Sequence, residues 1–346
     1  MALGGGVWVT QNKVLPGSYI NIVSASKATA TVGERGTVAI PLALGKAPGT
    51  VITITRQEFI KDSQTLLGVE FNSDVAKPLR ELFCHAVKAY IYDMGEGNTA
   101  SDVVAAFEPY DFNILAAYTE QSDDVTQYMT AVKSWRDDMG KKCQVVVYNQ
   151  ETTDHEGIIN VMSTVSDEGV DSYALVAWVS GAQAGANVNE SCTNMKYDGE
   201  YTVVTDKTQT QLEQAIKDGE FVFHLVYGEV RVLEDINSLV TTTDEKGEDF
   251  KSNQTIRVVD QIANDIAKLF NTKYLGKIPN NASGRVSLWA DIVAHHRQLE
   301  EIQAIENFDS SLVTVEQGNT KKAVVVNDVI TPVNAMAQLY MTVVIQ

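Results

Sequence analysis

Between Lys88 and Val179 short apolar runs alternate with amphipathic stretches. This rhythm limits the folds open to the chain more than any other feature. A-Y-I-Y-D (89–93), F-N-I-L-A-A-Y (112–118) and C-Q-V-V-V-Y (143–148) read as strands. The last is apolar without alternation, as a strand is when both of its faces are covered. Before it, Val125, Tyr128, Met129, Val132 and Trp135 share one helical face. Ser122 can cap that helix, Asp123 and Asp124 suit its positive end, and Gly140 suits its stop. A helix near 156–166 and a strand over 173–179, Y-A-L-V-A-W-V, continue the series. Alternating strands and helices with covered strands imply a largely parallel, doubly wound α/β layer, assigned to residues 94–200.

The flanks follow other patterns. T-V-A-I-P-L-A-L and V-I-T-I-T-R are short, β-branched and separated by A-P-G-T, so residues 33–93 read as a small β-rich domain that closes with a helix over 78–88. Residues 201–346 read as an α+β domain. Thr208 with Gln211 forms a capping-box pattern, F-V-F-H-L-V and E-V-R-V-L-E flank a Tyr227-Gly228 turn, and Ile256, Val259, Ile262, Ile266, Leu269 and Phe270 fall at helical spacing. A second helix is expected near 284–304. The fold class is therefore α/β and α+β in several domains: a small β-rich N-terminal domain, an α/β central layer and an α+β C-terminal domain.

Composition excludes several functions. With 27 Lys+Arg against 45 Asp+Glu, the formal charge of −18 argues against nucleic acid and against anionic membranes. No basic start with an apolar run marks a signal peptide, and no stretch approaches the ~18 apolar residues of a membrane span. Cys84, Cys143 and Cys192 make an odd set without C-x-x-C; Cys84 and Cys143 lie in apolar surroundings and read as small core residues, which points to a reducing cytoplasm. G-x-G-x-x-G, G-x-S-x-G and the phosphate-loop pattern do not occur. Asp154-His155-Glu156 reads as a solvated loop, because neighbouring residues diverge and no histidine follows at i+4. Asp244–Asp249 reads as an acidic surface turn. His295-His296-Arg297 lies within the second long helix, with His296 in its apolar stripe. Catalytic, cofactor-binding and metal-binding constellations are not expected.

The ends carry the strongest functional signal. The chain opens with a strand, Ser18-Tyr19-Ile20-Asn21-Ile22-Val23, on a small-residue tether (24–33), and it closes with another, Leu339-Tyr340-Met341-Thr342-Val343-Val344-Ile345. Each strand must find a sheet edge, on its own domain or on a neighbouring copy. Exchange with neighbours adds strands to their sheets and builds a polymer.

Several long blocks then resemble the contractile tail sheath proteins of phages and phage-tail-like particles. They are G-G-G-V-W-V-T-Q-N-K-V-L-P-G-S-Y-I-N-I-V-S-A at the start, Y-T-V-V-T-D-K-T-Q-T-Q-L-E-Q-A-I-K-D-G-E-F-V-F-H, R-V-L-E-D-I-N-S-L-V-T, K-S-N-Q-T-I-R-V-V-D-Q-I-A-N-D-I, and V-N-D-V-I-T-P-V-N-A-M-A-Q-L-Y-M-T-V-V-I at the end. The resemblance implies a structural subunit that polymerises as stacked hexameric rings around a tail tube and contracts to drive the tube through an envelope. It implies residues 1–32 and the final strand as linking arms exchanged between subunits. It implies other copies of itself, the tube protein, and baseplate and tail terminator proteins as partners, and assembly in a bacterial host cytoplasm. By the same likeness His295, His296 and Arg297 are candidate tube contacts. The alternative is a cytoplasmic α/β enzyme or ligand-binding protein whose terminal strands stay on their own domain.

Overall fold

A computed structural model describes residues 32–151 and 153–345. In chain order the elements are β1 (Thr37–Leu42), β2 (Val51–Thr55), α1 (Arg56–Leu67), α2 (Lys77–Leu82), β3 (Lys88–Asp93), α3 (Ala100–Phe107), β4 (Ile114–Ala116), α4 (Ser122–Asp137), β5 (Gln144–Tyr148) and β6 (Ile158–Val161). There follow α5 (Leu175–Gly185), α6 (Gln209–Lys217), β7 (Glu220–Phe221), β8 (Phe223–Val226), β9 (Glu229–Val232), α7 (Asn253–Leu269), α8 (Ala282–Glu301), β10 (Thr314–Gln317) and β11 (Val324–Asn327).

The alternation does produce a doubly wound sheet. Seven strands lie in the order β2-β3-β1-β4-β5-β6-β7, and every pairing is parallel except β2 with β3. Because side chains alternate along a strand, the sheet splits the core in two. Val38, Ile40, Ile114, Val146 and Ile159 face one apolar cluster, shared with α1, α2 and α5. Ala39, Leu115, Val145, Val147 and Ile158 face the other, with α3 and α4.

Residues 33–93 do not form a separate β domain. β1 pairs with β3 on one side and β4 on the other, Val38 opposite Ile114 and Ala39 opposite Leu115. The expected boundary at 93/94 therefore runs through one sheet. The short β-branched strands were read correctly as strands. Sequence pattern alone does not say which edge they join.

Two elements exchange type. The expected strand over 173–179 belongs to helix α5, whose residues from Leu175 to Ala184 are all buried. A helix covered on every side loses its polar stripe, and with it the 3.6-residue period that distinguishes it from a covered strand. The expected helix near 156–166 is instead strand β6, between β5 and β7. Its Asn160 is buried and is held by Gln150, accepting from the Gln150 N–H and donating to the Gln150 carbonyl.

Caps place the helix starts. Thr55 with Glu58, Thr99 with Asp102, and Thr208 with Gln211 form reciprocal capping boxes. Ser122 is the first residue of α4 rather than its cap, which falls at Gln121. The β8–β9 hairpin turns through Tyr227 (φ 49°) and Gly228 (φ 84°), the two positive φ values of a type I′ turn.

α5 lies close against the turn that follows α2. A Cβ on Gly181 would fall on the Leu82 carbonyl oxygen, and one on Gly185 on that of His85. Gly181→Ala must push these backbones apart. It is expected to cost about 2 kcal/mol in urea unfolding, the range of overpacked cores. A change under about 0.5 kcal/mol, the scale of ordinary surface substitutions, would mean that the contact yields freely.

Candidate functional site

The two ends of the chain and the helices that receive them form the candidate site. The N-terminal strand Ser18–Val23 lies outside the described residues. The C-terminal stretch is described and forms no ladder in the single chain. Leu339 is 85% exposed, Tyr340 88%, Val343 71% and Ile345 93%, so the apolar side chains of 339–345 stand in solvent. Among the described residues the expected strand forms no ladder, because no sheet edge there receives it. Upstream, the root of this stretch is fixed: Glu306 N–H donates to the Thr331 carbonyl and Val333 N–H to that of Ala304.

Next to this root lies a small sheet. β10 and β11 pair antiparallel, Val315 opposite Val326, and no third strand joins them among the described residues. Val325 and Val326 remain partly exposed. A lone pair of strands is marginal in water, and its outer edges carry free backbone donors and acceptors.

The long helices hold both roots. His295 and His296 on α8 are fully buried. His295 Nε2 lies 2.9 Å from Asp265 Oδ2 on α7, and His296 Nε2 lies 2.6 Å from Asp328 Oδ2, one residue past β11. The two Nδ1 atoms are 3.4 Å apart. Asp265 Oδ2 also accepts from Gly33 N–H at 3.0 Å and from Gln261 Nε2 at 2.9 Å. The tube-contact expectation therefore needs correction. Two imidazoles with no exposed surface present nothing to a partner, and only Arg297 of the trio is exposed. Burial follows from helix phase: His296 is four residues from Ile292 and three from Val293, both in the buried stripe. Gly33, Asp265 and Asp328 were missed from sequence, because their partners lie 232, 30 and 32 residues away.

Buried ion pairs fasten α7 to the α/β layer. Arg257 Nη2 meets Asp235 Oδ2 at 3.3 Å, both about 1% exposed. Asp235 Oδ1 also accepts from Gln183 on α5, and Arg257 Nη2 donates to Gln183 Oε1. One turn on, Arg136 from α4 clamps Asp260 bidentately at 2.6 and 2.9 Å.

Asp154-His155-Glu156 is less solvated than expected. Glu156 is buried against Arg136 (3.9 Å) and Lys246 (2.8 Å). Asp137, His155 and Glu156 come close enough to suggest a metal. However, the ring's Nδ1 accepts from Gly157 N–H, its Nε2 faces Asp137, and two cations already serve Glu156. The chemistry is that of an ion-pair network. Burial opposes ionisation of Glu156, but Lys246, His155 and Arg136 hold its carboxyl below the usual range. Burial lowers the His155 pKa despite Glu156 and Asp137. The unfolded chain thus binds a proton at His155 more readily than the folded one. Acidification below the ordinary histidine range of about 6.5 therefore withdraws stability here. Burial pushes the Cys143 and half-buried Cys84 thiols up to about 12, far from thiolate chemistry at neutral pH.

Asp260→Ala leaves Arg136 buried with only the more distant Glu156, at 3.9 Å, as a counter-charge. A loss of about 3 kcal/mol is expected in urea unfolding, largely recovered in Arg136→Met/Asp260→Ala. A double variant as unstable as the single one would assign the loss to packing.

Comparison with known proteins agrees with this architecture. Residues 95–238 match the phage tail sheath protein central domain and residues 245–346 the phage tail sheath C-terminal domain. The division between them falls in the acidic loop after Leu239, rather than at residue 200. The phage-like element PBSX protein XkdK of Bacillus subtilis (strain 168) is 31% identical over 256 residues, 70% of this chain and 55% of that protein. The tail sheath protein of Clostridium phage phiCD119 is 28% identical over 232 residues, covering 66% of this chain and 63% of the phage protein. The chain thus spans little more than half to under two-thirds of these curated relatives. The crystal structure of the sheath tail protein from Desulfitobacterium hafniense superposes with a TM-score of 0.80 at 27% identity, covering 92% of this chain and 97% of that one. The contracted helical sheath of the anti-feeding prophage shares the fold at 15% identity, with a TM-score of 0.73 over 97% of this chain and 99% of that one. The chain belongs to the contractile phage tail sheath family.

Proposed function

We propose that this chain is the repeating subunit of a contractile sheath, stacked as hexameric rings around a tail tube. The observation that carries this reading is the exposed apolar stretch 339–345 beside the two-stranded β10–β11 sheet. Burying one Val, Leu or Ile side chain is worth about 1.5–3 kcal/mol. A neighbour that accepted this stretch as a strand would bury several and satisfy its backbone at once. The β10–β11 edges suit such an addition. The strand 18–23 would add to a neighbour's sheet in the same way, giving a mesh of cores joined by arms. Contraction then replaces one set of contacts between rigid cores by another while the arms stay engaged, on a signal from a baseplate. Nucleotide is not required, and the role is structural rather than enzymatic. The tube protein and the baseplate and terminator proteins are the partners, and assembly takes place in the host cytoplasm. Of the helix trio, Arg297 alone is available to a tube. The alternative of a self-contained enzyme or binding protein requires terminal strands that stay on their own domain, and the exposure of 339–345 weighs against it.

Negative-stain microscopy of the purified chain at rising concentration is expected to show hollow tubes. Val343→Pro and Ile20→Pro each remove a ladder donor and should abolish tubes while circular dichroism and unfolding of the single chain stay unchanged. Normal tubes from either variant would show that its strand is not a linker. A charge of −18 per copy makes neighbours repel. Assembly should therefore strengthen between roughly 0.01 and 0.15 M salt as the Debye length falls from about 30 to 8 Å. Assembly indifferent to salt would remove the electrostatic part of the reading.

A further inference from the structure

The two histidines pose a counting problem. Three close contacts run in series: Asp265 Oδ2 to His295 Nε2, His295 Nδ1 to His296 Nδ1, and His296 Nε2 to Asp328 Oδ2. Each outer contact joins atoms that carry lone pairs and needs one bridging proton, and the middle contact, at 3.4 Å, is a hydrogen bond only if it holds one as well. Two neutral imidazoles and two carboxylates bring two. The middle contact would then set two lone pairs against each other in a site with no exposed imidazole surface, which is costly where water cannot intervene.

We propose that His295 and His296 hold one additional proton between them, and that this proton ties the root of the N-terminal segment to the root of the C-terminal one. The first root ends on Asp265 through Gly33 N–H. The approach is close enough that a Cβ on Gly33 would lie 2.6 Å from Asp265 Oδ1. The second root begins at Asp328, and its backbone is pinned three to five residues on by Glu306 and Ala304. The extra proton leaves the two carboxylates and the imidazole pair with a net charge of −1. Burial and the neighbouring Arg257 hold the pKa of Arg35, two residues after Gly33, down to about 9, against the opposing pull of Asp260, Cys192 and Asp265. The Phe308 ring packs against His296, 5.2 Å between centroids. The proton is a ligand of a built site, and without it the two roots have separate anchors.

The significance for a mesh rests on reading the two ends as linkers, but the test does not. In the full-length, unassembled chain labelled with 15N-histidine, a trans-hydrogen-bond 15N–15N coupling between the two Nδ1 atoms is expected at pH 7. Two neutral rings without this coupling overturn the proposal. Hydrogen exchange then reads the tie. Asp328→Asn should speed exchange at the Gly33 amide about tenfold, and Asp265→Asn should do the same at Val333, a coupling near the low end of allosteric values. The cross-effects should vanish when His295 is already Gln, which excludes transmission through the apolar residues nearby. Effects confined to the root next to each substitution, or surviving in His295→Gln, overturn the tie. Failure to form tubes would alter neither result.

Discussion

The structure depends on helix α7 being buried on its polar side. Asn253, Gln254, Thr255, Arg257, Asp260 and Gln261 are all covered: Asp260 meets Arg136 on α4, Arg257 meets Gln183 on α5 and Asp235 after β9, Asn253 meets Gln144 on β5 and Asp235, Gln254 and Thr255 meet residues 333–335, and Gln261 meets Gly33. An apolar interface slides at small cost. A buried arginine that loses its carboxylate does not, because an uncompensated charge in the interior costs several kcal/mol. Arg136–Asp260 and Arg257–Asp235 therefore hold the α7–α8 pair on the α/β layer in one register. These pairs give orientation more than net stability. The apolar sheet faces supply the stability, with core side chains from both strands and helices in close contact.

The legible parts of the fold were those set by near neighbours in sequence. Thr208 and Gln211 announce a helix start because the box closes within four residues. Tyr227-Gly228 announces a hairpin because the turn and both strands are contiguous. β3, β4 and β5 announce themselves by apolar runs. What failed depended on distant surroundings. α5 reads as a strand because complete burial erased its stripe, and residues 33–93 read as a separate domain because β1 finds β4 only after 75 intervening positions of folding choice, a non-local pairing no window can see. The site divides in the same way. The apolar C-terminal stretch was visible as a strand in want of a sheet, and the family likeness was visible in long ordered blocks. The histidine doublet was noticed but misplaced. Its burial follows from helix phase, but the carboxylates that meet it, Asp265 and Asp328, lie on two other parts of the chain.

The described roots of the two ends lie at one place. Val32 and Ile330, near the two roots, pack on the same small cluster of Val188, Val258, Leu299, Ala304 and Ile305. This cluster joins α7, the end of α8 and the loop after α5. The C-terminal root reaches the seven-stranded sheet through α7 and its buried contacts with Arg136, Asp235 and Gln144, whereas the N-terminal root runs from Gly33 into β1 within four residues. The geometry explains why the sequence places its most buried charges beside its most exposed apolar segment. The charges fix the orientation of the helices at which the free segment is anchored. That orientation would then set the direction in which the segment reaches for a neighbour.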